Sequence, residues 1–364
     1  GLASILPADS RTIVHFGIKI VGESEGISQR IDSFEAHANK HFPDLYGSDV
    51  SKTVFSASGG FVRDWRITQR AFPSGIAKQA FSRMSRERLE MAEDGYEYFV
   101  LSSFAQREIT HNEYVGYIYY LGRGSITDSL LCASDYLALA EEYKKSFEAA
   151  LRYADTSLTR DMRDEAAGFR LKLIEALTND WHERVPEKDK VFAARELAKV
   201  IGAETVAAHL MRFVRDDSYA LIAKAFVQAR FTGILEWKAL ADELAVNSDG
   251  DMELYCFYSA AAQDHLRQLE AKSRLLLNGR KDIRIFVCSH KDSAFFESDI
   301  LQPIQVGSAL SPYRLGALLH DDRGDNISDL NPMYCELTAQ YWAWKNVDAE
   351  YYGLCHYRRY WQNP

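Results

Sequence analysis

No stretch of the 364 residues reaches the roughly 18 to 20 consecutive apolar residues that a helix needs to cross a bilayer. The N-terminus also lacks the charged, apolar and small-residue succession of a secretory signal. The expected location is therefore the cytoplasm, with peripheral association at the inner face of the plasma membrane left open. Cysteine is scarce: Cys132, Cys256, Cys288, Cys335 and Cys355 are scattered without metal-ligand or disulfide spacing, which fits a reducing compartment and thiols that mostly pack. Clustered positive charge is missing too. The formal net charge is -9 and no long basic run occurs, so nucleic acid, whose phosphates are held by grouped Lys and Arg, is not an expected partner.

The sequence is rich in aromatic residues, 12% including 20 Tyr, which suits either core filling or stacking surfaces for ring-shaped ligands. The length suits two or three domains rather than one. The chain opens Gly-Leu-Ala without a Met and stops just after the strand-like YYGLCHYRRYW, so both ends are expected to be cuts in a longer protein.

Along the chain the patterns predict an α/β fold, with mixed-sheet segments flanking a central helical block. TIVHFGIKIV over 12–21 is a β-branched and aromatic run that reads as a mostly buried strand. A helical pattern runs from about Ile76 to Phe104 with an interruption near Glu93-Asp94-Gly95, and ITHNEYVGYIYYL over 109–121 returns to strand before the turn Gly122-Arg123-Gly124-Ser125. From about 128 to 280 the composition shifts to Ala, Leu, Glu, Lys and Arg. Met162, Ala166, Phe169, Leu173 and Leu177 form one helical stripe there, and Leu254, Tyr258, Ala261, His265 and Leu269 another. This block reads as a linker or docking platform; its lone histidines His182, His209 and His265 read as packed or surface residues rather than ligands.

Beyond residue 280, DIRIFVCSH and RLGALLHDD read as strands, MYCELTAQYWAWKN as a helix and AEYYGLCHYRRYW as a further strand. That order opens a parallel α/β sheet, in which ligands bind at the carboxyl ends of the strands. Ser289-His290, His320-Asp321-Asp322 and His356 to Arg359 all fall at such ends.

Two resemblances add to these patterns. TIVHFGIKI, LEMAEDGYEYFVLSSFA and YVGYIYYLGRGSIT resemble the second half of a family-two inverting glycosyltransferase of the GT-A fold, so residues 1–127 would be the back half of such a domain. The resemblance implies that Asp94, with Glu93 beside it, is the general base that deprotonates an acceptor hydroxyl as it attacks the sugar. The same two carboxylates also suit a helix N-terminus. Arg123 would reach a diphosphate leaving group, or is a solvated turn arginine. The family's front half, with its Asp-x-Asp motif, would lie before Gly1, and a divalent metal, Mg or Mn, is implied only for the full-length domain.

IRIFVCSHKD, ILQPIQVGSAL, DDRGDNISDLNPMYCELTAQYWAWKN and YYGLCHYRRYW resemble the start of a GT-A-like domain of undefined function, frequent in capsular and exopolysaccharide enzymes, which would occupy 281–364. The resemblance implies that Ser289 and His290 face the base and ribose of a sugar nucleotide. Asp321, Asp322, Asp325 and Asn326 would hold ribose hydroxyls or shape a turn. His356-Tyr357-Arg358-Arg359 stands where a GT-A front half carries its Asp-x-Asp motif, so the paired guanidinium groups would neutralise a diphosphate in place of a metal, or form structural ion pairs. The combined expectation is a bacterial surface-polysaccharide glycosyltransferase fragment, its partners a nucleotide-sugar donor and a glycan or lipid-linked acceptor. The alternative is a non-catalytic interaction module of a capsule-assembly complex.

Overall fold

The computed structural model describes residues 4–360 apart from 23–30, 32–34, 58–62, 122–129, 158–160, 224–227, 278–280, 297, 299 and 316–317. It divides into two compact units, Gly1–Ile201 and Gly202–Pro364. Both are α/β.

The first unit is built on a sheet of β1 (Thr12–Gly22), β2 (Leu45–Tyr46), β3 (Arg70–Ala71) and β4 (Arg107–Leu121), in the order β2-β4-β1-β3. β1 runs parallel to β4, from Thr12 opposite Arg107 to Gly22 opposite Leu121, while β2 and β3 pair antiparallel. Ile13, Val14, Phe16, Ile18 and Ile20 of β1 are all buried, as a strand with both faces covered requires. Three helices lie beside the sheet in sequence: α1 (Asp49–Phe55), α2 (Ser74–Phe81) and α3 (Glu93–Phe104). The break in the helical pattern spans 82–92 rather than 93–95. There the chain turns, with Ser85 N donating to Tyr96 Oη at 2.9 Å, and Glu93 begins the next helix.

α4 (Ala133–Thr156), α5 (Arg163–Arg184) and α6 (Glu187–Ile201) complete this unit. The predicted stripe Met162, Ala166, Phe169, Leu173 and Leu177 is buried throughout. Phe169 meets Phe55 edge-on at 5.4 Å and Trp65 at 5.4 Å, so α5 seals an aromatic core shared with α1 and α3. Gly168 makes this approach feasible: a Cβ there would lie 1.7 Å from Phe55 O and 2.6 Å from Ala57 N, both backbone atoms that no side-chain rotation can clear. In an open helix Gly→Ala stabilises by about 1 kcal/mol. Gly168→Ala is expected to reverse that sign and cost about 3 kcal/mol by forcing α5 off α1, read as a lowered urea midpoint.

In the second unit α7 (Ala203–Ala223), α8 (Gln228–Val246) and α9 (Glu253–Leu277) precede a fully parallel sheet. The helical run breaks between α6 and α7 at Gly202, whose φ of +103 is left-handed and strained for any side chain. The second predicted stripe is only half right. His265 and Leu269 are buried, but Leu254 in the first turn of α9 is 46% exposed.

The parallel sheet contains β5 (Ile283–Ser289), β6 (Leu301–Gln305), β7 (Leu319–His320) and β8 (Tyr351–His356), in the order β7-β6-β5-β8. α10 (Asn331–Tyr334) and α11 (Leu337–Asn346) lie between β7 and β8 in sequence. β6 is a strand the sequence patterns did not indicate, because Pro303 sits in its middle. The ladder accommodates it: Ile285 N donates to Ile300 O and Val306 N to Ser289 O, a phase that turns the even-numbered residues of β6 toward β5. Pro303 faces the other way, where β7 begins only opposite Ile304, so its missing N–H costs no ladder bond. Buried Trp342 of α11 meets Phe286 edge-on at 5.9 Å and donates through Nε1 to Arg323 O at 2.7 Å, which fixes the helix to the sheet.

Candidate functional site

Chain order β5, β6, β7 runs outward on one side of β5, and β8 is then laid on its other side. Such a reversal makes a topological switch point, with a crevice at the carboxyl ends of the two strands that part there, here β5 and β8. β5 ends at Ser289 and β8 at His356, with Cys288 opposite His356 in register. A concave site of about 620 Å³ lies beside the end of β8, lined by Glu336, Leu354, Cys355, His356, Arg358, Arg359 and Tyr360. That is a normal size for a small-molecule pocket.

The turn after β8 is fixed by backbone bonds. Tyr357 N donates to Cys288 O at 3.0 Å and Arg359 N to His356 O at 2.7 Å, leaving the side chains of Arg358 and Arg359 exposed. Arg358 N donates to His356 Nδ1 at 3.2 Å, so Nδ1 is an acceptor and the ring proton of the neutral imidazole is on Nε2, 3.6 Å from Glu336 Oε1. Burial, with Arg358 adding, lowers the His356 pKa below its ordinary value, although Glu336 pulls the other way. Glu336 follows Cys335, whose φ of 48 is unusual for a residue with a side chain and is held by Asn331 Nδ2 donating to Cys335 O at 2.7 Å.

Tyr357 gathers further charge. Lys291 Nζ lies 5.5 Å and the Arg358 guanidinium 5.4 Å from its ring centroid, and His290 meets the ring edge-on at 5.9 Å. Arg358 and Arg359 thus line the hollow with one described carboxylate, Glu336, and Lys291 shares the Tyr357 ring with Arg358. Neither Arg358 nor Arg359 is ion-paired among the described residues. Such a cluster is suited to a multiply charged oxyanion, since guanidinium forks match phosphate oxygens.

Of the residues singled out in the sequence, His290, His356, Arg358 and Arg359 come together here. Ser289 is close but engaged: it is buried, and its Oγ donates to Lys291 O at 2.7 Å, shaping the turn. Asp321 and Asp322 lie at the end of β7, on the far side of β6. The Asp321 carboxylate is fully buried and accepts from Gly307 N, Ser308 N, Ser328 Oγ and Thr338 Oγ1. Asp322 forms a two-point pair with Arg314. Asp325 accepts from Tyr341 Oη, and Asn326 Nδ2 donates to the carbonyls of Asp322 and Gly324, which closes a turn. Tyr357 was part of the run His356 to Arg359 singled out in the sequence, whereas Lys291 and Glu336 were not. Lys291 adjoins a residue that was singled out, and Glu336 reads as helix surface.

In the first unit, Glu93 and Asp94 open α3 directly after Ala92, a non-glycine residue in left-handed conformation at φ 55. Glu93 is exposed and Asp94 half-buried, with Gly95 N donating to Asp94 Oδ1 at 2.7 Å. Burial raises the Asp94 pKa above its ordinary value, the Gly95 bond opposes that, and the Glu93 charge adds to it. A raised carboxylate pKa is the direction a general base requires. Arg123 lies outside the described residues. Among the described residues no group of three or more His, Cys, Asp or Glu side chains forms a metal site.

Residues 284–364, which hold the switch point, match the family model described as a domain of unknown function (DUF4422). A solved chain described as the apo structure of the bifunctional glycosyltransferase WbbM is 48% identical over 21% of this chain and 13% of its own length, with a TM-score of 0.20. The match thus takes in about a fifth of this chain and a small part of that protein. A search of curated proteins gave no match. No helix among the described residues is long and apolar enough to cross a membrane.

Proposed function

We propose that this chain is part of a glycosyltransferase, and that its second unit holds the diphosphate of a nucleotide-sugar donor between the ends of β5 and β8. The observation that carries the reading is the unpaired guanidinium pair Arg358–Arg359 on a backbone-fixed turn at the switch point, with Lys291 beside it and one opposing carboxylate. Charge develops on the leaving diphosphate as the glycosidic phosphate bond breaks, and fixed cations stabilise that charge without reorganising. His356, neutral with its proton on Nε2, adds a hydrogen-bond donor on the same rim. In the first unit the raised pKa of Asp94 supports its reading as the base of a family-two transferase acting on a glycan or lipid-linked acceptor. Capsule or exopolysaccharide assembly is the proposed setting.

Calorimetric titration of the chain with uridine diphosphate and a panel of nucleotide sugars, with and without Mn²⁺, tests the donor site. Each charge-assisted contact contributes about 1.5–3 kcal/mol, so Arg358→Ala combined with Arg359→Ala is expected to weaken binding by roughly a hundredfold or more. Binding that survives the double substitution unchanged would falsify the assignment.

A further inference from the structure

The hollow beside the end of β8 carries a carboxylate that its arginines do not use. Glu336 lines it together with Arg358 and Arg359, yet neither guanidinium is ion-paired among the described residues. Glu336 therefore does not serve to neutralise them, and it repels the anion they attract. Among the described residues its ionic contact is with His356, whose Nε2 lies 3.6 Å from Glu336 Oε1. The imidazole is neutral at neutral pH, because burial, with Arg358 adding, lowers its pKa below the ordinary value. The contact is thus no charge pair, and it is too long for a hydrogen bond. Arg358 N occupies Nδ1 at 3.2 Å, so the ring proton is on Nε2. Both side chains reach the surface of the hollow, His356 18% and Glu336 43% exposed. A donor, Nε2–H, and an acceptor, the carboxylate, stand side by side there without satisfying each other.

The fold fixes both. Cys335, just before Glu336, has a φ of 48, costly for a residue with a side chain. Asn331 clamps it from two sides: its carbonyl accepts from Cys335 N at 2.8 Å, and its Nδ2 donates to Cys335 O at 2.7 Å. Asn331 Nδ2 also donates to Thr338 Oγ1 at 3.1 Å, in the first turn of α11, which ties the reversal to the helix. His356 is placed by its register opposite Cys288 and by Tyr357 N donating to Cys288 O at 3.0 Å. The two groups are therefore set in position before any ligand arrives.

A phosphate oxygen only accepts, which suits His356 and not Glu336. An ammonium only donates, and it would face two guanidinium groups. Hydroxyls do both, and two on neighbouring carbons offer one to each partner. We propose that Glu336 and His356 form a subsite for a vicinal diol, in which one hydroxyl donates to the carboxylate and its neighbour accepts from Nε2–H. The diol belongs to the molecule whose diphosphate Arg358 and Arg359 hold, as the ribose of its nucleotide or as the sugar to be transferred. This rests on the donor reading and adds that Glu336 selects what the diphosphate carries.

The test is calorimetric titration of the full chain with pyrophosphate and two matched pairs. Uridine diphosphate against deoxyuridine diphosphate reports the ribose diol, and uridine diphosphate glucose or galactose against the methyl ester of uridine diphosphate reports the transferred sugar. In at least one pair the diol-bearing member is expected to bind about tenfold tighter or more, as a hydrogen bond to a charged acceptor supplies. Glu336→Ala is expected to abolish that preference and to tighten pyrophosphate, because a like charge is removed. A merely structural role would weaken pyrophosphate as well. Glu336 makes no side-chain capping bond to α11, so the variant keeps its helix start, and circular dichroism verifies its fold. Pyrophosphate binding that is lost with Arg358→Ala and Arg359→Ala upholds the donor site. If it is so lost, but neither pair shows a diol preference, or the preference survives Glu336→Ala, or Glu336→Ala weakens pyrophosphate, the diol subsite is overturned and the donor site stands. No binding of any ligand, or binding indifferent to the two arginines, would overturn both.

Discussion

Glu108→Ala is expected to cost about 3–5 kcal/mol, the usual loss when one partner of a buried ion pair is removed and the other charge is left behind. Glu108 begins β4 in the middle of the first sheet and is fully buried. Its carboxylate meets Arg63 Nη2 at 2.9 Å and Arg70 Nε at 3.1 Å, and accepts from Tyr98 Oη at 2.5 Å. Both guanidinium groups are themselves buried. With alanine at 108 the nearest remaining anion is Asp64, 3.5 Å from Arg70. Arg70 keeps its bonds to the carbonyls of Arg66 and Asp64 and Arg63 its bond to Thr110 Oγ1, but neither replaces the lost charge. His15 at least adds no further positive charge, because burial, with Arg70 and Arg63 adding, holds its pKa at about 2 and the ring neutral. Urea unfolding followed by circular dichroism reads the loss. A variant within about 1 kcal/mol of the parent would mean that water enters and solvates the arginines.

The second large effect is expected at Asp321. Two donors converge on each oxygen: Gly307 N at 2.9 Å and Thr338 Oγ1 at 2.6 Å on Oδ2, Ser308 N at 3.0 Å and Ser328 Oγ at 2.6 Å on Oδ1. Asp321→Asn changes one oxygen into an NH₂ group of almost the same size. A hydroxyl can turn to accept from it, but a backbone N–H cannot, so one buried donor faces another whichever way the amide is placed. The expected cost is about 3 kcal/mol, taking hydrogen bonds to a charged acceptor at about 1.5–3 kcal/mol each. For a unit of this size that lowers the melting temperature by roughly 6–12 °C. A shift below about 3 °C would show that the loop after β6 rearranges freely, and that Asp321 is not what holds it to α11.

These two carboxylates also mark where sequence reasoning stops. The strands over Thr12–Gly22 and Ile283–Ser289 were legible because β-branched and aromatic residues dominate them, and the stripe from Met162 to Leu177 because its spacing is helical. Glu108 was not legible. Its partners Arg63 and Arg70 lie far back in the sequence, within RDWRITQR, and a charged residue in such a run reads as solvated until the sheet brings it inside. Asp321 stood out for the right reason, its position at a strand end, yet its environment commits it to holding the loop. Four donors that close around it come from three separate segments, which no local pattern announces.

The site between β5 and β8 was partly legible. His290 and the run His356 to Arg359 were recognisable as polar ends of apolar strands, and the parallel register brings them side by side. Glu336 depends on the backbone reversal at Cys335, which nothing in MYCELTAQYWAWKN indicates.

Pro303 has a consequence beyond the ladder it interrupts. Over Leu301–Pro303 the outer side of β6 has no neighbouring strand among the described residues. An ordinary residue there would hold out an N–H on which a strand from another molecule could begin to zip. Proline has none to offer. The residue that disguised β6 in the sequence therefore also withholds one donor from the outer side of that strand.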